Sequence, residues 1–269
     1  MNIGLLIIGD EILSGKRADK HLPKVIELLG ARGLQLAWAR LVGDDPVRIT
    51  ADLRDAFASG DLVFSCGGIG ATPDDHTRQC AAAALGVALE LHAEAAALVV
   101  ERMRDVAREQ GQPFDPERED NRHRLNMAVF PAGAEIIPNP YNKIAGFAVR
   151  SAQGGGVFFV PGFPVMAWPM IEWVLDTHFG HLRVAPAVLE RSVIVFGGME
   201  ATLTPLMEAV ERDFPGIKVF SLPSVDHPKW GRHIELGVKG NAALLEPAYV
   251  HLRDGARRLG ATLGAELVR

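Results

Sequence analysis

Cysteine is scarce: 269 residues hold only Cys66 and Cys80. Two thiols at that separation build neither a disulfide framework nor a CxxC metal knuckle. A reduced, cytoplasmic setting is the expectation. Tyrosine and tryptophan number 2 and 4, too few for a base-stacking platform. Basic charge is not in excess either. Lys and Arg total 28 against 33 Asp and Glu, a net charge of −5, which excludes a dedicated nucleic-acid binder. No apolar run approaches the roughly 18 residues of a membrane span, so no membrane partner is expected. The apolar start, residues 1–9, lacks a basic flank and runs straight into Asp10 and Glu11, unlike a secretory leader. HExxH, GxSxG and a Cys/His pair at ligand spacing are all missing. What is present is an ordinary globular composition, 48% hydrophobic and 23% charged, in a chain long enough for two domains.

The order of patterns predicts the architecture. Residues 2–9 are apolar on both parities, as in a strand covered on both faces. A helix is expected over 20–32, a strand over 34–42, a helix over 46–58 with Asp45 as N-cap, and a strand over 61–66. Strand–helix–strand–helix–strand predicts a parallel sheet with helices on both faces and functional loops at its carboxyl edge. Helices over 77–85 and 93–110 follow. Residues 111–124 read as a polar loop or lid. Short strands are expected at 129, 134–137, 147–149 and 157–160, then a helix over 166–179. These make a first α/β domain, 1–182. Past a boundary at 180–186, the order becomes strand 191–196, helix 205–214, strands 217–222 and 232–238, and helix 242–259. This βαββα order predicts a small α+β domain over 190–269. Its 10 basic and 10 acidic residues cancel, so the part of the chain before it carries the whole net charge.

The chemistry concentrates where the strands end. Cys66-Gly67-Gly68-Ile69-Gly70-Ala71-Thr72-Pro73-Asp74-Asp75 puts three glycines directly after a buried strand. Glycine admits close backbone approach and positive φ, and amides at a strand-to-helix turn attract anions. The segment is neither a P-loop nor GxGxxG, and a first strand that ends in Gly-Asp-Glu rather than GxGxxG disfavours a dinucleotide dehydrogenase. Asp74 and Asp75 would add hard oxygen ligands beside a bound phosphate, suiting Mg²⁺ or another divalent cation. An acidic helix cap is the alternative reading of the same pair. Gly9-Asp10-Glu11-Ile12-Leu13-Ser14-Gly15 ends the first strand, and Gly43-Asp44-Asp45 ends the second. A parallel sheet brings these acidic turns to one edge, where their repulsion calls for a cation or a hydrogen-bond network. Pro161-Gly162-Phe163-Pro164 is a rigid turn able to close on a ligand, or a plain connection. Cys66 reads as nucleophile or as apolar strand end, His76 as a ligand contact or a solvated cap. Arg118, Arg122, His123 and Arg124 read as lid or as solvated surface.

Taken together, 9–15, 42–45, 67–77 and 161–164 resemble the molybdopterin-binding domain shared by molybdenum-cofactor biosynthesis proteins and the competence/damage-inducible proteins. The resemblance spans about residues 1–180, and 190–269 is similar to the small domain that follows in the latter group. It implies a three-layer α/β fold, a homo-oligomer (dimer or trimer), and a nucleotide or pterin ligand, molybdopterin included. It implies that Asp44 and Asp75 hold a metal and act in catalysis, and that Gly67, Gly68, Gly70 and Thr72 cradle phosphate. Asp10, Glu11, Ser14, Asp74, Pro161 and Gly162 would line the same pocket. The implied activities are metal-dependent hydrolysis of ADP-ribose-type nucleotides, adenylyl transfer to a pterin, or binding without turnover. Two departures reshape one wall. Asn142-Lys143-Ile144-Ala145-Gly146 stands where the family often has Gly-Thr-Ala-Pro-Gly, and Phe163 and Met166 replace a proline and a glutamate.

Overall fold

The computed structural model describes residues 1–183 and 188–268. The chain divides into two compact units, Met1–Arg183 and Val184–Arg269. The boundary expected at 180–186 falls in part on residues 184–187, which lie outside the described residues.

The first unit runs β1 (Ile3–Ile8), α1 (Asp10–Leu13), α2 (His21–Gly30), β2 (Trp38–Val42), α3 (Pro46–Ser59), β3 (Leu62–Cys66) and α4 (Thr77–Leu85). It continues with β4 (Leu89–Leu91), α5 (Ala93–Glu109), α6 (Glu119–Leu125), β5 (Val129–Pro131), β6 (Glu135–Ile137), β7 (Gly146–Arg150), β8 (Gly156–Val160) and α7 (Pro164–His178). The main sheet has the order β2-β1-β3-β8-β7-β6. The first four strands are parallel, β7 runs antiparallel to β8, and β6 runs antiparallel to β7.

Alternation along each strand explains the three layers. Leu5 and Ile7 of β1, Phe64 of β3 and Phe158 of β8 join a core with Val25 and Leu29 of α2 and Ile171 of α7. The intervening Leu6, Ile8, Val63 and Phe159 join a second core with Ile49 and Leu53 of α3 and Val99 of α5. Each fully buried leucine or phenylalanine contributes about 1.5–3 kcal/mol, so both sheet faces must be covered. This is why β1 shows no polar parity. α3 opens on Asp45, whose carboxylate accepts from the amides of Val47 (2.7 Å) and Arg48 (3.2 Å), with Pro46 in its first turn. The cap expected at Asp45 is what forms.

The second unit runs β9 (Val188–Phe196), α8 (Glu200–Asp213), β10 (Lys218–His227), β11 (Gly231–Asn241), α9 (Ala242–Arg258) and β12 (Thr262–Val268). Its antiparallel sheet has the order β10-β11-β9-β12, the split βαβ arrangement of ferredoxin-like units. The βαββα expectation is corrected by one strand. β12 pairs with β9 through a register shift between Leu263 and Glu266, and Gly264 makes room for the Phe196 ring. A glycine and a polar residue break the alternation that marks a strand, so the segment reads as a tail. Two further expectations are corrected. Residues 119–125 are helical rather than loop, stabilised by pairing within the segment such as Arg118–Asp120 at 2.5 Å and Arg124–Asp120 at 3.3 Å. The second strand begins at Trp38, not 34. Among the described residues no helix is long and apolar enough to cross a membrane.

Candidate functional site

A cavity of about 760 Å³ opens at the carboxyl edge of the four parallel strands, within the roughly 300–1,000 Å³ of small-molecule sites. It lies where the strand order turns back, β2-β1-β3, the place where open α/β sheets bind ligands.

The glycine loop forms its centre. Gly67 has φ +107°, and a Cβ there would strike the Ile8 carbonyl of β1; Gly68 has φ +68° and abuts the Thr77 hydroxyl. At Gly67 no other residue type fits without moving backbone, and at Gly68 a Cβ would have to displace the Thr77 side chain. The loop's carbonyls face α4. Gly67 O accepts from Thr77 Oγ1 (3.1 Å), Gly68 O from Thr77 N (3.0 Å) and Gly70 O from Arg78 Nη2 (2.6 Å). Among the described residues the amides of Gly68, Ile69, Gly70 and Ala71 meet no protein acceptor. That is the arrangement of an anion cradle. Gly162 packs on it from the β8–α7 turn, its Cβ position 3.4 Å from Gly67 Cα.

Asp75 does not cap α4. Its Oδ2 accepts from Thr72 N (2.8 Å) and Thr72 Oγ1 (2.5 Å), closing the loop on itself. The N-cap of α4 is His76, without a side-chain bond. Asp44 is held by a reciprocal pair: Asp10 N donates to Asp44 Oδ2 at 2.8 Å and Asp44 N donates to Asp10 Oδ1 at 3.1 Å. Burial pushes the Asp44 carboxyl above the usual range. The Asp10 amide opposes this, and repulsion from Asp10, Glu11 and Asp74 adds to it.

Of the residues expected at the site, Glu11, Asp44, Gly67, Gly68, Gly70, Thr72, Asp74, Asp75, Pro161 and Gly162 reach the cavity. Asp10 stands behind Asp44 rather than in the lining, and Ser14 is exposed outside it. Cys66 reaches the cavity but is 1% exposed, and burial pushes its thiol far up. It is an apolar strand end, not a nucleophile. His76 and the 118–124 cluster take no part in the lining.

Sequence reading missed one wall. The segment between α1 and α2, with the first residue of α2, brings Arg17, Lys20 and His21 to the cavity. Arg17 and Lys20 are exposed, and neither forms an ion pair among the described residues. His21 is 4% exposed and its Nε2 lies 3.0 Å from Gly162 O. A carbonyl only accepts, so Nε2 carries the proton. That bond ties the α1–α2 segment to the β8–α7 turn across the end of β3. The opposite wall contains both departures from the family pattern, and they touch each other: Asn142 Nδ2 approaches Met166 Sδ at 3.3 Å. Lys143, with φ +67°, anchors that loop to α5 through Glu101 (2.6 Å) and Asp105 (2.7 Å).

Among the described residues no three His, Cys, Asp or Glu side chains converge as a ready metal cage. Asp44 and Asp75 both line the cavity, each with its carboxylate engaged by a backbone amide. Mg²⁺ commonly takes one or two carboxylates and completes its shell with substrate phosphate and water.

Three comparisons bear on this geometry. Residues 4–181 match a family described as "Probable molybdopterin binding domain". A CinA-like protein of Anaeromyxobacter sp. (strain K) is 36% identical over 188 residues, covering 70% of this chain and 43% of that protein. A CinA-like protein of Syntrophotalea carbinolica is 31% identical over 275 residues, covering 99% and 61%. The chain thus spans only part of the length of these relatives. The crystal structure of CinA from Thermoplasma acidophilum, titled as of unknown function, matches at a TM-score of 0.56 and 25% identity, covering 66% of this chain and 98% of that one.

Proposed function

Because this chain belongs to the molybdopterin-binding, CinA-like family, we propose that its cleft binds a phosphate-bearing pterin or nucleotide. The observation that carries this reading is the row of amides, Gly68 to Ala71, left without protein acceptors inside one cavity. Those amides would take the phosphate oxygens. Ile7, Ile69, Ile144 and Met166 offer an apolar bed for a flat ring in the same cavity. Arg17 and Lys20 stand at the wall, able to hold further anionic groups.

A second reading, hydrolysis of a nucleotide diphosphate of the ADP-ribose type, rests on the carboxylates. Asp44 is raised first by burial and further by repulsion from Asp10, Glu11 and Asp74, and a divalent cation would relieve that repulsion. Asp44 and Asp75 are the residues that would hold it. When bound, such an ion supplies charge neutralisation on the phosphates and a more acidic water. Water would add to one phosphorus, the bridging P–O bond would break, and AMP and a sugar phosphate would leave.

The test is a panel of AMP, ADP-ribose, NAD, FAD, ATP and a phosphorylated pterin, each with and without Mg²⁺, Mn²⁺ or Co²⁺. Thermal shift reads binding, and chromatography reads AMP release. Stabilisation without AMP supports a binding module. Metal-dependent AMP release that collapses in Asp75→Asn, with affinity retained, supports the hydrolase. No stabilisation by any phosphorylated ligand refutes both.

A further inference from the structure

Arg78, the second residue of α4, is 4% exposed. A charged side chain this deep is almost always paired with an opposite charge. Arg78 is not. Among the described residues it forms no ion pair. Its Nη2 donates to Gly70 O at 2.6 Å, and its buried Nε has no acceptor. Asp75 acts on it only from a distance, and burial pulls its pKa down. The one group it holds is the carbonyl of Gly70, a residue that lines the cleft and whose own amide has no acceptor among the described residues.

We infer that Arg78 is the built-in positive charge of the phosphate subsite, and that its missing counter-ion is the oxyanion bound on the Gly68–Ala71 amides. This deepens the proposed function and rests on it. It also answers a difficulty in that reading. Glu11, Asp44, Asp74 and Asp75 all line the cavity and would repel a phosphate. A cation placed behind the glycine loop, shielded from solvent, acts there at low dielectric and offsets that field where the anion sits. The amides then provide geometry and Arg78 provides net charge, as a positioning residue that does not itself line the cleft. The ligand end placed on this loop is therefore an anionic phosphoester, and a neutral ring belongs elsewhere in the cavity.

The experiment uses the full chain with inorganic phosphate, AMP and adenosine as probes, and two variants. Arg78→Gln keeps an N–H for the Gly70 carbonyl but no charge. Arg78→Lys keeps the charge. Wild type is expected to gain stability from phosphate and AMP and far less from adenosine. Arg78→Gln is expected to lose AMP affinity at least tenfold, while Arg78→Lys stays within about threefold of wild type. Rising salt should weaken AMP binding in wild type more than in Arg78→Gln. A folded Arg78→Gln that binds AMP like wild type overturns the inference. So does an Arg78→Lys as impaired as Arg78→Gln, since the role is then structural. If Arg78→Gln fails to fold, the Nε–H resonance of Arg78 in wild type, assigned by its loss in Arg78→Lys, decides. It should move on adding AMP, and an unmoved resonance overturns the inference. Where wild type binds neither phosphate nor AMP, the phosphorylated member of the panel above that stabilises it takes the place of AMP as probe, and stabilisation by none of them overturns the proposed function itself.

Discussion

Two alanine substitutions in the glycine loop should separate folding from binding. In Gly67→Ala the new Cβ meets the backbone carbonyl of Ile8, at φ +107°. The backbone conformation costs about 1–3 kcal/mol, and the overpacking costs about 1–3 kcal/mol more. Neither can be relieved by a side-chain rotation, because the obstacle is β1 itself. In Gly70→Ala no left-handed φ is involved, and the Cβ meets Asp75 Oδ2 at 2.5 Å. Asp75 can swing away, giving up its bonds to Thr72 N and Oγ1. Both bonds are exposed, so water replaces the lost partner on each side and their joint net worth falls to about 1 kcal/mol. For a unit of this size each kcal/mol moves Tm by about 2–4 °C. Gly67→Ala should therefore melt on the order of 5–20 °C below wild type, and Gly70→Ala within about 4 °C. AMP affinity should fall in both, and in Gly70→Ala it should fall without the loss of stability. Tryptophan fluorescence reads this well, since Trp38, Trp168 and Trp173 all lie in the first unit. A Gly67→Ala protein melting within 2 °C of wild type would refute the steric reasoning. A Gly70→Ala protein as destabilised as Gly67→Ala would refute the separation of loop from fold.

The remaining expectations concern single side chains. Asp44→Asn keeps an acceptor for the Asp10 amide and removes a carboxylate whose folded pKa is raised. A raised carboxyl binds its proton longer in the folded state, so its cost is absent below the unfolded pKa and grows as pH rises through the folded one. The variant should match wild type near pH 3.5 and equal or exceed it at pH 7 by up to about 1 kcal/mol, read as Tm against pH; a variant less stable at pH 7 contradicts this. Asp45→Ala should cost about 1 kcal/mol in urea unfolding by uncapping α3 and leave AMP affinity unchanged, because Asp45 does not line the cleft. Cys66 and Cys80 are 1% and 3% exposed, and burial raises both thiols. Neither should react with a thiol-specific disulfide reagent until denaturant is added, and rapid native reaction of Cys66 would reopen its reading as a nucleophile.

What the sequence displayed follows from period and punctuation. Both parities of β1 are apolar because both faces are covered, and Asp45-Pro46 marks the start of α3 because a cap and a fixed φ act locally. β12 was hidden for the converse reason. Its pairing with β9 is set by a partner more than sixty residues away, and Gly264 and Glu266 erase the alternation that a strand reader needs. The 119–125 helix was hidden because its stability comes from charges pairing at short range within a polar stretch, a pattern that composition alone assigns to loop.

The site divides along the same line. Its glycines and carboxylates were legible because each follows directly on a strand that must end at one edge of a parallel sheet. The wall of Arg17, Lys20 and His21 was not, because nothing local marks it: the segment reaches the cleft only by crossing from β1 toward β8, where His21 bonds Gly162 O. Arg78 was the least legible of all, since an arginine in the first turn of a helix reads as surface. Only its depth and its missing partner set it apart, and both are properties of the packed molecule. The contact of Asn142 with Met166 belongs to this class too. Two substitutions that look independent along the chain form one surface in space, a neutral and polarizable wall where the family pattern places a carboxylate. A cleft so altered should tolerate an apolar ring on that side better than a second cation. On the proposed reading, the glycine loop with Arg78 behind it would hold the phosphate end of the ligand, and the Asn142–Met166 wall would select its remainder.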